Sequence, residues 1–523
     1  MDEIVGANLA LIGYLMPLSL LMAACIPFLT RSVDMVFQIG RGAAIGAFLL
    51  SLILGIFVFI SEQIVSPTIG FGAIGISLRL DALSIAMCWL VTFLGALLVQ
   101  FSRNYLDGDA RQNIFFSRLY VTIGAVLFLV LSGNLWQLVL AWIGTSLALH
   151  QLLVFYAERR KAIIAARKKF IVARVSDICL IIAAIIIAQA FNTIDLGAIH
   201  SAVSQALADG IVPTGVGIAA ILVVIAAALK SAMFPFHGWL LEVMETPTPV
   251  SALLHAGLLN AGTFLIVRLG ELVFLSTPAL ILLIAIGGFT AIFASSTMVT
   301  QSSVKVSLAY SSAAHMGFML MLCGFGAHSV AIMHLIAHSF YKAHAFLSSG
   351  SIVEYVQNTG SQKLNDVPHP LALLVNLLVS LSIFLATATL LGVDVVQHPG
   401  ETALGMIFVI AVAYLLVKGT SSTSSLYLMG RTAFLAVLVT LAFFALELSA
   451  KTLLGDVVAV FPTPDQPTLI AMIVAVVAFG TVTLLSALLP ALVQRPAWRT
   501  FYIHLKNGFY ANALFDRLIQ ANR

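Results

Sequence analysis

Apolar residues run along this chain in long uninterrupted blocks separated by short polar stretches, and no block shows the two-residue alternation of a half-buried strand. A helix crosses the hydrocarbon core with about 20 residues at 1.5 Å rise, and these blocks are of that order. Continuous apolar runs select helices over a β-barrel, whose strands would read as short alternating segments. The pattern predicts about fifteen spans, at roughly 8–29, 43–61, 82–100, 117–132, 134–157, 170–190, 211–235, 248–269, 277–298, 304–324, 328–352, 369–392, 404–419, 431–450 and 468–492. The expected fold class is therefore an all-α polytopic membrane protein, with residues 1–492 as one transmembrane domain and no segment left for a folded soluble domain.

Residues 493–523 differ. In RPAWRTFYIHLKNGFYANALFDRLI the side chains Trp498, Phe501, Tyr502, Leu505 and Phe509 recur at helical spacing against Arg499 and Lys506. That pattern suits an amphipathic cytoplasmic tail, either lying on the membrane or gripping a cytoplasmic partner.

Composition agrees with the pattern: of 523 residues 61% are hydrophobic and 9% charged, with a mean hydropathy of +1.07, which excludes a water-soluble domain. The formal charge of +4 implies no nucleic-acid partner and is informative through its placement. Basic residues fall on alternate connections: Arg31 and Arg41, Arg103 and Arg111, the run ERRKAIIAARKK from Glu158 to Lys169, Lys363, and Arg495, Arg499, Lys506 and Arg517. By the positive-inside rule these are cytoplasmic, giving an outside N-terminus and a cytoplasmic C-terminus, with the basic run as a topology anchor. The opening MDEIVGANLA is acidic and lacks a basic n-region, so the first apolar block is expected to be retained. Cys25, Cys88, Cys179 and Cys323 each stand alone in an apolar run, which suggests neither a metal site nor a disulfide framework.

Ionisable residues inside such blocks are costly and mark function or a bundle interior. Lys230 lies five residues before Pro235, which lacks a backbone donor and favours a broken helix; the lysine either relays protons or snorkels to the interface. His255 follows Pro249 by about 9 Å of helix, inside the hydrocarbon thickness, as a relay group or as a structural histidine bonded to a neighbour. In HLIAHSFYKAHAF, His334, His338 and Lys342 recur every fourth residue and form one polar stripe about 12 Å long. A zinc pair is the alternative for its HxxxH spacing, though no third ligand is evident. Lys305 begins a span, as a path residue or a snorkelling one. Arg174 and Asp177 are one turn apart, as an ion pair or a functional pair. Asp81, Glu242 and Glu245 precede helices and read equally as entrance groups or helix-start charges.

The runs KSAMFPFHGWLLEVMETPTPVSALLHAG, SSVKVSLAYSS and HLIAHSFYKAHAFLSSGSIV resemble the proton-conducting antiporter-like family of respiratory complex I and Mrp antiporters, over about Asp81 to Val353. The resemblance implies an antiporter-like fold with inverted repeats and broken helices, in which Lys230, His255, Lys305, His334, His338 and Lys342 line a hydrated mid-membrane path. Two departures stand out. In LAWIGTSLALHQLLVFY, Ile143 occupies the position of the family's fifth-span glutamate, and His150 is the ionisable residue of that span. After residue 369, LLVSLSIFLATATLLGVDVVQHPGE lacks the lysine helix of the complex I subunits.

The shortened tail, WIGTSLALHQLL and ARKKFIVARVSD look more like the DabB family, the membrane subunits of two-component inorganic-carbon accumulation systems. That resemblance implies a bacterial inner-membrane subunit conducting H+ or Na+, with no cofactor in this chain. It also implies a DabA-like soluble zinc partner on the cytoplasmic face, which would carry the conversion of CO2 to bicarbonate. A subunit of a complex I or hydrogenase assembly, or of an Mrp-type antiporter, is the alternative.

Overall fold

The computed structural model describes residues 9–71, 74–243, 246–349, 370–393, 398–419, 426–455, 461–492 and 495–519. Among these, twelve helices are long and apolar enough to cross a membrane. Three more expected spans are also helical but more polar or shorter: Leu135–Leu153, Val216–Lys230 and His328–Leu347. These three carry His150, Lys230, and the His334, His338 and Lys342 stripe.

Burial grades across the bundle. The span Thr248–Arg268 is 89% buried over its apolar window, whereas Gln466–Leu488 is 17% buried and Leu371–Leu390 28%. The first is thus a central helix, and the latter two present aliphatic surface outward, as a lipid-facing helix does. Close packing relies on small residues: a Cβ on Gly287 would stand 2.6 Å from the Gly317 carbonyl, and one on Gly317 2.7 Å from that of Gly287. The helices Thr277–Met298 and Val304–Gly324 therefore meet backbone to backbone, the small-residue contact common in membrane bundles.

Several expected boundaries move for local reasons. The second helix is Val33–Ser61, starting ten residues before the expected 43, because the Ser32 side chain accepts from the Met35 amide and caps it; Arg41 is thereby helical. The run ERRKAIIAARKK is not a loop between spans: from Arg160 it forms the first turns of the helix Arg160–Phe191. Alanines drive this, since Ala162, Ala165 and Ala166 fall on one buried face, and Lys168 and Lys169 are buried with them. Among the described residues the regular structure is helical apart from two small antiparallel pairs and two isolated bridges. Gln63–Val65 pairs with Arg79–Asp81, and Ile69–Phe71 with Ile74–Ile76.

The tail forms Pro496–Lys506 and Ala511–Leu518, separated by a kink in which Phe509 and Tyr510 take φ of 48° and 60°. Phe509 therefore leaves the helical spacing that the sequence suggested. The second tail helix docks on the bundle through buried Phe515, a contact that neither sequence reading anticipated.

Candidate functional site

Two helices break inside the bundle, and an ionisable side chain marks each break. Val216–Lys230 ends at the lysine itself, and the chain resumes helix at Gly238–Glu242 beyond Pro235. Thr248–Ala256, with Pro249 in its first turn, stops one residue after His255; a short turn, Leu258–Asn260, then leads into Ala261–Arg268. The breaks touch each other: the Ser231 hydroxyl donates to the Leu259 carbonyl at 3.0 Å. Gly262 permits the approach, because a Cβ there would lie 2.1 Å from the Ser231 oxygen.

Lys230 points at the helix Leu135–Leu153. Its ammonium donates to the Trp142 carbonyl at 2.9 Å, the Thr145 hydroxyl at 3.1 Å and the Ser146 hydroxyl at 2.8 Å, and lies 4.2 Å from the Trp142 ring. These acceptors flank Ile143 in the sequence, so hydroxyls and a carbonyl, not a carboxylate, receive the ammonium. The negative charge that acts on Lys230 comes from Asp177, on the neighbouring helix, itself paired with Arg174 at 2.6 Å. Lys169, 5% exposed, donates to the Ser146 carbonyl at 2.7 Å. Two lysines thus hold the same serine, beside a cavity of about 10 Å³ lined by Thr145, Ser146, Lys169, Lys230, Trp239 and Leu258. That is close to the room one water needs.

The second cluster gathers around His328–Leu347. His338 is 4% exposed and Lys342 is fully buried; the Lys342 ammonium donates to the Leu308 carbonyl at 2.9 Å. His255, also fully buried, stacks on Phe346 at 4.3 Å and lies within electrostatic reach of Lys342 and His338. His315, from Val304–Gly324, joins the stripe across helices: its Nδ1 is 2.9 Å from His334 Nε2, and its ring centre is 4.6 Å from that of His338. The Asn260 amide donates to the Ser339 hydroxyl at 2.8 Å, tying the second break to this helix. Both ring nitrogens of His255 and of His338 lack a hydrogen-bond partner among the described residues.

The remaining expected residues are placed elsewhere. Lys305 is half-buried at the second position of its helix, with no hydrogen bond or ion pair among the described residues, and is not brought into the cluster. His150 lies in the last turn of its helix, against the Phe170 ring at 5.2 Å. Asp81 caps the helix Ala82–Tyr105, accepting from the Ser84 amide at 2.9 Å, and is fully buried between Arg79 and Arg268. Burial alone would raise its pKa; the Arg268 and Arg79 guanidiniums outweigh that and hold the carboxyl below the usual carboxylate range. Glu242 faces Lys168 at 2.6 Å, and Glu245 lies outside the described residues.

Sequence reasoning missed His315, Lys169, Asn260, Ser146 and Ser339. His315 sits in SSAAHMGF and satisfied the same criterion as His255, an imidazole inside an apolar run. Lys169 was absorbed into the basic run. The three uncharged residues carry no sequence signal of their own.

A family model described as NADH:quinone oxidoreductase/Mrp antiporter, TM, matches residues 132–398. One for the N-terminus of complex I chain 5 matches residues 68–116. The probable inorganic carbon transporter subunit DabB2 of Halothiobacillus neapolitanus is 36% identical over 517 residues, 96% of this chain and 92% of its own. The probable inorganic carbon transporter subunit DabB of Hydrogenovibrio crunogenus is 41% identical over 306 residues, covering 58% of this chain and 57% of its own. Among solved structures, a chain of the Mrp complex from Dietzia sp. DQ12-45-1b superposes with a TM-score of 0.66 at 22% identity, covering 97% of this chain and 59% of that one.

Proposed function

Because the chain belongs to the NADH:quinone oxidoreductase/Mrp antiporter membrane family and, within it, to the DabB inorganic carbon transporter subunits, we propose that it conducts a cation, H+ or Na+, and couples that flow to inorganic-carbon accumulation. The route starts at the Lys169, Ser146 and Lys230 group and crosses from Ser231 to Leu259 where the two broken helices touch. It continues through Asn260 and Ser339 to His338, His315 and His334, with His255 and Lys342 beside it.

The observation that carries this reading is the pair of buried imidazoles, His255 and His338, whose four nitrogens have no protein partner among the described residues. Buried polar groups left unmatched cost about 1–3 kcal/mol each and call for a role or for water. Histidine both accepts and donates a proton near neutrality, and a row of imidazoles and amines joined by hydroxyls hands a proton along by small rotations. Broken helices at membrane depth expose backbone to such a path.

The acceptor of this energy is proposed to be a DabA-like soluble zinc protein on the cytoplasmic face, and the chain to sit in a bacterial inner membrane with its N-terminus outside. The name DabB on relatives called transporter subunits supports a multi-subunit assembly. In cells expressing chain and partner, Lys230→Ala and His338→Ala are expected to abolish ion-driven bicarbonate accumulation while membrane levels of the protein stay normal. Wild-type accumulation in both variants would refute the path. Collapsing the H+ or the Na+ gradient separately identifies the ion.

A further inference from the structure

The tail helix Ala511–Leu518 is fastened to the bundle by a cluster that the path does not use. Lys168, its side chain fully buried, donates to Glu242 Oε1 at 2.6 Å and to Asn512 Oδ1 at 2.9 Å. The Asn512 amide donates in turn to the same Glu242 oxygen at 2.8 Å, closing a three-membered ring of contacts. Asp516, one turn after Asn512 on the same helix face, pairs with Lys168 as well. One ammonium thus gathers groups from three parts of the chain: the basic run, the short helix that follows the Lys230 break, and the tail.

The tail also packs directly on the break. Phe515, 7% exposed, meets Phe236 edge to face at 5.8 Å, and Phe236 lies in the connection between Lys230 and Gly238. Gly238 is open to the tail for lack of a side chain: a Cβ there would stand 2.0 Å from Asn512 Oδ1. Two routes therefore run from the tail to Lys230. One is covalent, from the contacts at Gly238 and Phe236 back along the broken segment. The other passes from Lys168 to its neighbour Lys169, whose ammonium holds the Ser146 carbonyl while the Ser146 hydroxyl accepts from Lys230.

We propose that Ala511–Leu518 is an autoinhibitory latch: docked, it seals the end of the Lys230 path by covering Lys168 and bracing the broken segment, and its release admits ions to Lys230. In the docked state Lys168 is covered from water and Glu242 and Asp516 keep 25% and 23% of their side-chain exposure, so the cluster is closed but lies at the margin of the bundle. The outer side of the same helix, with Leu514 58% and Leu518 79% exposed, is open to whatever lifts it. The latch rests on the reading of Lys230 as a path residue.

The test is ion flux in proteoliposomes containing the full chain. Asp516→Asn, which removes a charge from the clamp, and Gly238→Ala, which pushes Asn512 outward, are each expected to raise passive flux about tenfold, a barrier change of about 1.4 kcal/mol. Adding Lys230→Met to either variant should return the flux to the level of Lys230→Met alone. The pair Gly238→Cys with Asn512→Cys serves where those variants fail to fold. Their Cβ atoms would stand 3.0 Å apart, so a small shift suffices for a disulfide. The oxidised pair should conduct no more than wild type and the reduced pair should leak, with each single cysteine variant leaking in both conditions. Equal flux in oxidised and reduced pairs, or a leak that survives Lys230→Met, overturns the latch. Wild-type flux that Lys230→Met leaves unchanged overturns the path reading instead.

Discussion

An unpaired imidazole in a packed interior is an expense that folding alone does not require, since a phenylalanine of similar shape would fill the same space without unmatched nitrogens. His255 and His338 are both of this kind, and His315 and His334 share a single 2.9 Å contact in which one ring must donate and the other accept. The two rings can exchange roles when a proton passes. His315→Phe keeps the ring volume and removes this exchange, and we expect ion flux to fall by about 10²-fold or more, the scale of a lost acid–base group. His344, on the same helix as the stripe but exposed, is the control: His344→Phe should leave flux within experimental scatter. A normal flux in His315→Phe would remove His315 from the route.

At this scale the sequence was informative wherever a charge or imidazole interrupted apolar residues, because the cost of burying such a group is legible without knowing its neighbours. It was silent about Asn260, Ser146 and Ser339, whose importance comes from what they touch across helices. Lys305 illustrates the converse. Its type and motif pointed to the path and its place at the start of a span was legible too, but among the described residues no hydrogen bond or ion pair ties it to the cluster.

Helix breaks do the positioning. Pro235 announced that the helix of Lys230 would be interrupted, and the interruption falls beside it; Pro249 sits in the first turn of its helix, and the second break, the turn at Leu258–Asn260 that places Asn260 against Ser339, had no comparable signal. The small antiparallel pairs between residues 63 and 81 were also invisible, since three-residue strands are too short for a period to register. Because the two breaks meet at Ser231 and Leu259, the side chain of residue 262 controls their separation. Gly262→Leu is expected to destabilise the protein by about 1–3 kcal/mol through overpacking. It should also reduce flux, measured as a lowered unfolding temperature in detergent and a slower ion flux after reconstitution.

The far end of the second broken helix is secured differently. Arg268 reaches Asp81, which caps the helix Ala82–Tyr105, and Arg79 pairs with the same carboxylate at 3.0 Å. Removing Arg268 leaves the buried Asp81 carboxylate with Arg79 alone, so Arg268→Gln should cost about 1–3 kcal/mol, less than a buried charge left wholly unpaired. The Asp81 carboxyl is held below its ordinary range, so its contribution is present above the unfolded-state pKa and is lost as pH falls through the lower folded-state value. The loss of stability in Arg268→Gln should therefore be full at neutral pH and shrink under acid conditions below the usual carboxylate range. A variant as stable as wild type at neutral pH would contradict the assignment of Asp81 to structure.

Across the whole molecule, polarity is concentrated where burial is greatest. The helix that bears His255 is 89% buried over its apolar window, and the outer helix Gln466–Leu488, at 17%, is almost entirely aliphatic. Such a gradient suits an ion path in the centre of a bundle. Among the described residues no group of three His, Cys, Asp or Glu is arranged to hold a metal ion, the His315, His334 and His338 cluster included. Under the proposed function, purification through a tag on this chain should therefore retain one dominant soluble polypeptide, with about one zinc per metal site in that partner, following the chemistry expected of such sites. Stripping the partner with salt should remove the zinc and leave the membrane chain folded, because a peripheral contact of charged surfaces is screened whereas a buried helical bundle is not. Zinc that stays with the membrane chain after the partner has gone would place the metal in the wrong polypeptide for this division of labour. A chain that purifies without any partner, at full ion flux, would mean that conduction is its whole task.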